Sequence, residues 1–300
     1  MSKARPWDER GLWRWLRFVV LAGYAAIALL PLLWLALTSF KTATDTTSTT
    51  ARFIPVAESA SPGAASHGFI PTAAGWSGLH TPLPGSPATF LDFLLSSLII
   101  GLASTAAAVA LGTVTAYGFS RFRIAGGKDW LFFILSTRFM PPLAVVAPVL
   151  LMYQQFGLTG THLGLILLYT VFNLSLAVWL MKGFIDEIPR AFEESALVDG
   201  YTRTQAFFRI ILPQARTGMA VTAVFCLIAA WNEYGFALVL GGQGAATVPV
   251  WFAGLQGNIS GVPWPVVAAG AVLFVTPLVV FAVLVRNHLL RGMTFGTVKG

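Results

Sequence analysis

Six long apolar segments constrain the fold of this 300-residue chain more than any other feature. A transmembrane helix needs about 20 consecutive apolar residues to cross the hydrocarbon core of a bilayer, and segments of about that length or longer recur along the chain. We predict six spans, TM1 to TM6, at 18–38, 91–119, 130–153, 163–181, 217–240 and 264–285. The sequence therefore predicts an all-α membrane protein with six transmembrane helices.

The composition is that of a membrane protein. Charged residues make up 10% of the chain and hydrophobic residues 56%, whereas soluble domains carry about 25% charged residues. The net charge of +7 would suggest a nucleic-acid partner in a soluble protein. Here the basic residues lie in the connections between spans, so we expect no nucleic-acid partner. The single cysteine, Cys226, excludes an intrachain disulfide, and no Cys/His metal cluster is expected.

The basic residues predict the orientation of the spans. Of the 19 Lys and Arg residues, 16 fall on one side of the predicted membrane, in the connections 1–17, 120–129, 182–216 and 286–300. The connections on the opposite side hold only Lys41 and Arg52, and Arg138 lies within TM3. By the positive-inside rule, both termini and the connection between TM4 and TM5 are predicted to be cytoplasmic.

The connection at 41–90 is the longest and is predicted to be periplasmic. It is low in charge, rich in Gly, Ser and Thr, and interrupted by Pro55, Pro62, Pro71, Pro82, Pro84 and Pro87. Such a composition favours turns over continuous helices or strands, so we expect little regular secondary structure. The other five spans form a predicted core at 91–300, which includes the cytoplasmic connection at 186–213.

That cytoplasmic connection contains a predicted helix–turn–helix, whose residues 193–213 read EESALVDGYTRTQAFFRIILP. Gly200 can adopt the left-handed conformation that ends a helix, and Thr202 and Gln205 have the capping-box spacing that begins another. Before Pro213, the second helix carries an apolar stripe at helical spacing, formed by Ala206, Phe207, Ile210 and Ile211. We interpret the segment as a rigid docking element; the alternative is an amphipathic connector lying on the bilayer.

Neither a nucleotide site nor a catalytic cluster is visible. Gly127 and Lys128 are followed by Asp129 instead of the Ser or Thr of a phosphate-binding loop. The four histidines lie outside the predicted spans and far apart, at His67, His80, His162 and His288. We therefore expect no enzymatic activity and no cofactor or metal in this chain.

Several polar and aromatic residues lie within the predicted spans: Arg138, Asn173, Trp231, Asn232, Glu233 and Tyr234. Intramembrane charges are expensive and are usually paired or functional. One hypothesis is that these residues line a polar pathway, where hydroxyls meet polar groups and aromatic faces stack on sugar rings. The alternative is that they pair with one another, as Arg138 with Glu233, or cap broken helices.

The helix–turn–helix resembles the signature of a known family, the inner-membrane permease subunits of bacterial binding-protein-dependent ABC importers. That signature, the EAA loop, reads Glu-Ala-Ala, three residues, Gly, nine residues, Ile, any residue, Leu-Pro. Here Glu194, Ser195 and Ala196 are followed at the same spacing by Gly200 and then by the run from Ile210 to Pro213. Ser195 and Tyr201 depart from the usual alanines.

Three further stretches resemble the carbohydrate-uptake branch, and the six-helix maltose-type permease within it. They are 117–128, the Trp-Asn-Glu-Tyr stretch at 231–234, and the C-terminal stretch at 292–300. The connection at 41–90 departs from that branch because it is longer than usual. The likeness otherwise covers the chain from about residue 16 to the C-terminus.

The resemblance implies a transport subunit of the bacterial inner membrane that works with other chains. These are a second permease subunit, two ATPase subunits that hold ATP and Mg²⁺, and an extracytoplasmic solute-binding protein that delivers a carbohydrate or sugar alcohol. The helix–turn–helix would dock on the ATPase and couple hydrolysis to transport. The predicted coupling residues are Glu193, Glu194, Ala196, Asp199, Gly200, Phe207, Ile210, Leu212 and Pro213.

Three alternatives remain at the level of sequence. The importer could carry another small polar solute, such as a phosphorylated polyol. The chain could instead be an ion-coupled secondary carrier, which would depend on Glu233 and would not need ATP. A membrane enzyme is the third alternative, and the missing catalytic cluster disfavours it.

Overall fold

The computed structural model describes residues 11–56, 68–83, 85–256 and 261–294. These residues form two compact units. The first comprises the described residues up to Thr81 together with those between 261 and Leu273, and the second comprises the described residues from Pro82 to 256 and from Phe274 onward. The last helix, α14 (Trp264–Thr294), has residues in both units.

The first unit contains the long helix α1 (Gly11–Thr38) and a set of very short elements. These are α2 (Ala43–Thr46), two parallel two-residue strands, β1 (Ile54–Pro55) and β2 (Gly68–Phe69), α3 (Ala74–Ser77), and a 3₁₀ turn (Gly78–His80). In the described part of 41–90, regular structure is therefore sparse, as its composition predicts.

Buried polar contacts nevertheless hold this short-element region together. The Lys41 ammonium lies 3.7 Å from the centre of the Trp34 ring, and burial lowers the pKa of Lys41 below its ordinary value. Asp45 forms a capping box with Thr42 and an ion pair with Arg52. A cation over an aromatic face and a capped carboxylate both offset the cost of burying charge.

The second unit is built around three closely packed helices, α4 (Phe90–Arg121), α7 (His162–Asp186) and α11 (Arg216–Trp231). Small residues allow the close approach: a Cβ added at Gly112 of α4 would lie 2.6 Å from the Cβ of Ala177 on α7. Small residues at helix interfaces are typical of membrane proteins, where packing replaces the hydrophobic effect between helices.

Four helices in the described residues are long and apolar enough to cross a membrane: Trp13–Thr38, Phe90–Arg121, His162–Asp186 and Trp264–Arg286. They correspond to the predicted TM1, TM2, TM4 and TM6. The count rises to six if each of two bent helix pairs is taken as one span.

The prediction of TM3 as one continuous helix is wrong. The segment consists of α5 (Gly127–Ser136), a 3₁₀ turn (Thr137–Phe139) and α6 (Pro142–Phe156), with a bend of 91°. Pro141 is extended and Pro142 occupies the first turn of α6. Proline cannot donate a backbone hydrogen bond and disfavours helix in the residue before it, so the pair ends one helix and begins another.

The prediction of TM5 as one continuous helix is also wrong. Helix α11 ends at Trp231, and α12 (Gly235–Leu240) begins after a three-residue break. Helix α13 (Val248–Gln256) follows. A helix can be interrupted in an apolar environment only if the free backbone groups at the break find partners. Asn232 donates to a carbonyl at the end of α11, and Glu233 accepts N–H groups at the start of α12.

Candidate coupling corner and intramembrane cavity

The connection between the predicted TM4 and TM5 has the predicted form of a helix–turn–helix. We call residues 191–214 the corner; it consists of α8 (Ala191–Val198), α9 (Arg203–Ala206), a π-helical turn (Phe207–Ile211) and α10 (Leu212–Gln214). The last three elements follow one another without a break. The corner is joined to α11 at a bend of 70°.

The turn between the two arms has the predicted caps. Gly200 has a φ of 87°, and the N–H groups of Gly200 and Tyr201 donate to the carbonyls of Leu197 and Ala196 at 3.2 and 2.9 Å. These two bonds form the Schellman motif, which requires a left-handed residue that glycine adopts without strain. Thr202 and Gln205 form the predicted capping box. Both ends of the turn are therefore closed by hydrogen bonds.

The second arm widens into a π turn before Pro213. The N–H of Leu212 donates to the carbonyl of Phe207, a separation of five residues instead of the four of an α-helix. Pro213 follows directly and has no N–H to donate. The arm thus continues through the proline and ends at Gln214.

One face of the corner is buried against the membrane helices. Ala196 of the first arm and Ala206, Phe207 and Ile211 of the second are buried. The Phe207 ring lies 4.6 Å from that of Tyr117 on α4. Of the predicted stripe, Ile210 is only half-buried, so Ile211 is the isoleucine that anchors the arm.

The opposite face of the corner is exposed. Among the predicted coupling residues, Glu194, Asp199, Gly200 and Pro213 are exposed, and Leu212 is half-buried. Val198, at the end of the first arm, is 87% exposed. The exposed part of the corner therefore carries two carboxylates and an apolar side chain.

Glu193 lies on the buried face, unlike its neighbour Glu194. Its Oε1 accepts a hydrogen bond of 2.6 Å from the Tyr117 hydroxyl, and its Oε2 is 3.1 Å from Nε of Arg121. The side chains of Arg121 and Glu193 are 4% and 5% exposed. A buried carboxylate needs a counter-charge and hydrogen bonds, and α4 provides both. Glu193 was predicted among the coupling residues, and it contacts its own chain.

Arg121 also reaches the end of α7. Its Nη2 donates to the carbonyls of Ile185 at 3.2 Å and Ile188 at 2.7 Å. The neighbouring Ser120 donates to Asp186 at 2.6 Å, and Arg190 donates to the Ser120 carbonyl at 2.9 Å. The last turn of α4 is therefore bonded to the end of α7, to Arg190 just before α8, and to Glu193 within α8.

Sequence reasoning did not single out Tyr117 or Arg121 for these contacts. The available signal was their position, since both lie at the predicted cytoplasmic end of TM2, in the stretch that resembles the carbohydrate-uptake branch. A tyrosine or arginine buried at a helix end needs a polar partner, but the sequence does not say which carboxylate provides it.

A second polar site lies in a cavity of about 200 Å³ between α6, α7 and the break after α11. Charged, amide and aromatic side chains line it together with apolar ones: Arg138, Met140, Pro142, Tyr169, Phe172, Asn173, Ala229, Ala230, Glu233 and Phe236. It contains two of the predicted pathway residues, Asn173 and Glu233.

Glu233 caps α12. Its carboxylate oxygens accept the N–H groups of Phe236 at 3.0 Å and Ala237 at 3.2 Å, and Oε2 also accepts the Tyr169 hydroxyl at 2.7 Å. A carboxylate at a helix N-terminus satisfies free N–H groups and interacts favourably with the helix dipole. The alternative that these polar residues cap broken helices is confirmed for Glu233.

Arg138 and Glu233 line the same cavity, but no ion pair joins them in the described part of the chain. Arg138 donates a hydrogen bond of 3.3 Å to the carbonyl of Phe172. Asn173 donates to the carbonyl of Cys226 at 3.2 Å and thereby ties α7 to α11. The cavity therefore brings a guanidinium, a carboxylate and an amide together.

The other predicted pathway residues lie around the break. The Trp231 indole is buried, donates to the carbonyl of Phe274 at 3.1 Å and stacks on the Phe274 ring. Asn232 is exposed and donates to the carbonyl of Ile228, and Tyr234 is exposed. Trp231 thus packs against the protein, whereas the side chains of Asn232 and Tyr234 are exposed.

Comparison with known proteins agrees with the resemblance. Residues 108–294 match the family described as binding-protein-dependent transport system inner membrane component. The chain is 32% identical over 275 residues to the probable ABC transporter permease protein y4oR of Sinorhizobium fredii, with 92% of each chain covered. It is 36% identical to the trehalose transport system permease protein SugB of Mycobacterium tuberculosis, with 70% of this chain and 78% of that protein covered.

The fold also matches a solved structure. A bacterial ABC transporter involved in the import of the acidic polysaccharide alginate has a chain that superimposes with a TM-score of 0.69 at 21% identity, with 94% of this chain and 99% of that chain covered. Together with the membrane-length apolar helices, these matches show that the chain is a multi-pass membrane protein and belongs to the family of binding-protein-dependent transport system inner membrane components.

Proposed function

We propose that this chain is a transmembrane subunit of an ATP-driven importer, and that it forms half of the pathway for a saccharide or sugar alcohol. Its partners are a second permease subunit, two ATPase subunits that bind ATP and Mg²⁺, and an extracytoplasmic binding protein. It lies in the bacterial inner membrane with both termini and the corner on the cytoplasmic side.

The observation that carries the coupling role is the two-sided character of the corner. Hydrogen bonds close its turn, its inner face is buried, and Glu194, Val198 and Asp199 are exposed on its outer face. A rigid element anchored on one side and exposed on the other can transmit a displacement, whereas a flexible loop absorbs it. Relatives that carry saccharides support the solute class. They include the trehalose permease SugB and the galactooligosaccharide permease GanQ of Bacillus subtilis.

The intramembrane cavity supports the proposed solute pathway. Asn173, Glu233 and Arg138 offer an amide, a carboxylate and a guanidinium, and Tyr234 beside it is exposed. Hydroxyl-rich solutes are recognised by a few such polar groups within mostly apolar walls. We assign these residues, with Asn232, to the pathway.

Co-purification and transport test the coupling role. The chain is expressed with its ATPase, second permease and binding protein as wild type, Glu194→Lys and Val198→Asp, with Arg123→Gln as the control for an exposed charge outside the corner. We expect the wild type and the control to retain the ATPase and to import trehalose or maltose with ATP. Both corner variants should lose the ATPase or hydrolyse ATP without import.

Two results would redirect the assignment. Equal ATPase retention and import in all four proteins would make the corner a surface connector. Uptake that continues without ATP and stops in Glu233→Gln would identify a secondary carrier. A solute panel that includes phosphorylated polyols, measured with the binding protein present, distinguishes saccharides from other small polar solutes.

A further inference from the structure

We propose that Arg121 transmits movement of the corner into the membrane helices, and that Glu193 and Tyr117 hold it in position to do so. The inference rests on the coupling function proposed above and extends it to the buried side of the corner. It assigns a role to an ion pair that does not face the ATPase.

The segment between α7 and α8 makes such a residue necessary. Residues 187–190 separate the two helices, and a few connecting residues are enough to act as a hinge. A hinge at this place would let the corner tilt without moving α7. Arg121 connects the end of α7 to this segment, since its Nη2 donates to the carbonyls of Ile185 in α7 and Ile188 in the segment.

Glu193 connects the same arginine to the corner. Its carboxylate is 3.1 Å from Nε of Arg121 and accepts the Tyr117 hydroxyl at 2.6 Å. Tyr117 and Arg121 lie one turn apart on α4, so the carboxylate is held from two points on one helix. One guanidinium therefore joins α4, the end of α7 and the first arm of the corner.

Burial strengthens this connection. With side-chain exposures of 4% and 5%, water cannot replace either partner, and charge interactions are stronger in a low dielectric. Apolar contacts such as Phe207 on Tyr117 have no preferred direction and permit sliding. A displacement of α8 must therefore move α4 and α7 with it or break the ion pair.

The same region contains a second ion pair, which is partly exposed and lies within a single helix. Lys182 and Asp186 are 2.5 Å apart on α7, but their side chains are 26% and 45% exposed. Both residues belong to one helix, so their ion pair joins no separate elements, and the hydrogen bond from Ser120 of α4 to the other oxygen of Asp186 does not involve Lys182. Lys182→Gln is therefore the control for the loss of a nearby charge pair.

The experiment uses the complete complex in proteoliposomes and measures saccharide imported per ATP hydrolysed, with trehalose and maltose as the probes. The variants are Glu193→Gln, which keeps the size of the side chain, and Lys182→Gln. We expect Glu193→Gln to retain the ATPase but to lower import per ATP at least about tenfold, because a charge-assisted contact is lost from a buried site. Lys182→Gln should match the wild type.

A double variant separates transmission from folding. Arg121→Met combined with Glu193→Met replaces the buried pair by apolar side chains, an exchange that is often neutral for stability. We expect it to fold and to retain the ATPase, with a melting temperature lowered because the Tyr117 hydroxyl loses its acceptor. It should not reach wild-type import per ATP, because the bonds to the end of α7 are gone.

Wild-type import per ATP in Glu193→Gln overturns the proposal. So does a double variant that regains coupling together with stability, since the cluster would then only stabilise the fold. A wild-type complex that imports neither these two sugars nor any other member of the solute panel overturns the proposed function itself, and this inference with it.

Discussion

Glu193 and Glu233 each accept a short hydrogen bond from a tyrosine hydroxyl, at 2.6 and 2.7 Å, yet the two carboxylates do different things. Glu193 is paired with Arg121 and joins the corner to two membrane helices. Glu233 has no ion pair in the described residues, and its charge is stabilised by two N–H groups at the start of α12.

The difference shows two ways to keep a carboxylate at the core of a membrane protein. An ion pair between separate helices ties them together but must be complete, because either partner alone is a buried charge. A helix cap is local and leaves its neighbours free to move. We infer that the first site resists deformation, while the second permits the break in the helix and leaves Arg138 available beside the cavity.

The largest expected effect is at the ion pair. Arg121→Gln leaves Glu193 buried with only the more distant and exposed Arg203, whose Nη1 lies 3.9 Å from Oε1, and we expect a loss of about 3–5 kcal/mol in the free energy of unfolding. Thermal unfolding in detergent measures it, with Lys182→Gln as the control, for which a change of about 0–1 kcal/mol is expected because the pair is exposed. Equal melting temperatures for the two variants would contradict the assigned difference.

A smaller loss of stability is expected when the Glu233 cap of α12 is removed. Glu233→Ala removes the acceptor for two backbone N–H groups and should cost about 0.5–2 kcal/mol, as for other helix caps. The amide hydrogens of Phe236 and Ala237 should exchange faster, because they lose their partners. Asn232→Ala is the control, and unchanged exchange at both amides would show that Glu233 does not cap α12.

The smallest expected effect is at Arg138. It makes one hydrogen bond of 3.3 Å to a carbonyl, so Arg138→Gln should change the free energy of unfolding by less than about 1 kcal/mol. The same substitution at Arg121 serves as the comparison. A loss at Arg138 as large as that at Arg121 would mean that Arg138 pairs with Glu233 in the membrane.

How well the sequence predicts each part of the fold depends on the number of residues over which the relevant sequence pattern extends. The spans TM1, TM2, TM4 and TM6 follow from hydropathy, because any helix of that length and composition is stable across a bilayer. TM3 and TM5 were predicted as continuous helices and are broken. Hydropathy averages over about 19 residues, so it does not detect a proline pair at 141–142 or a carboxylate that caps a helix within the span.

The candidate site likewise has features that the sequence predicts and features that it does not. The caps at Gly200 and at Thr202 were predicted because each involves residues only a few positions apart. The exposure of Glu194 and the burial of Glu193 were not distinguished, since adjacent residues of a helix differ in environment only once a neighbour packs against one side. Tyr117 and Glu193 lie 76 positions apart, and no local pattern relates them.

The sequence by itself determined the class of protein, the corner and its family, because hydropathy, backbone caps and motif spacing act within a few turns of chain. Only the tertiary structure decided which carboxylate pairs with Arg121, that Glu233 caps a broken helix, and which face of the corner remains exposed. These depend on how α4, α7 and α11 pack, and many pairings of polar residues are compatible with the same pattern of apolar segments.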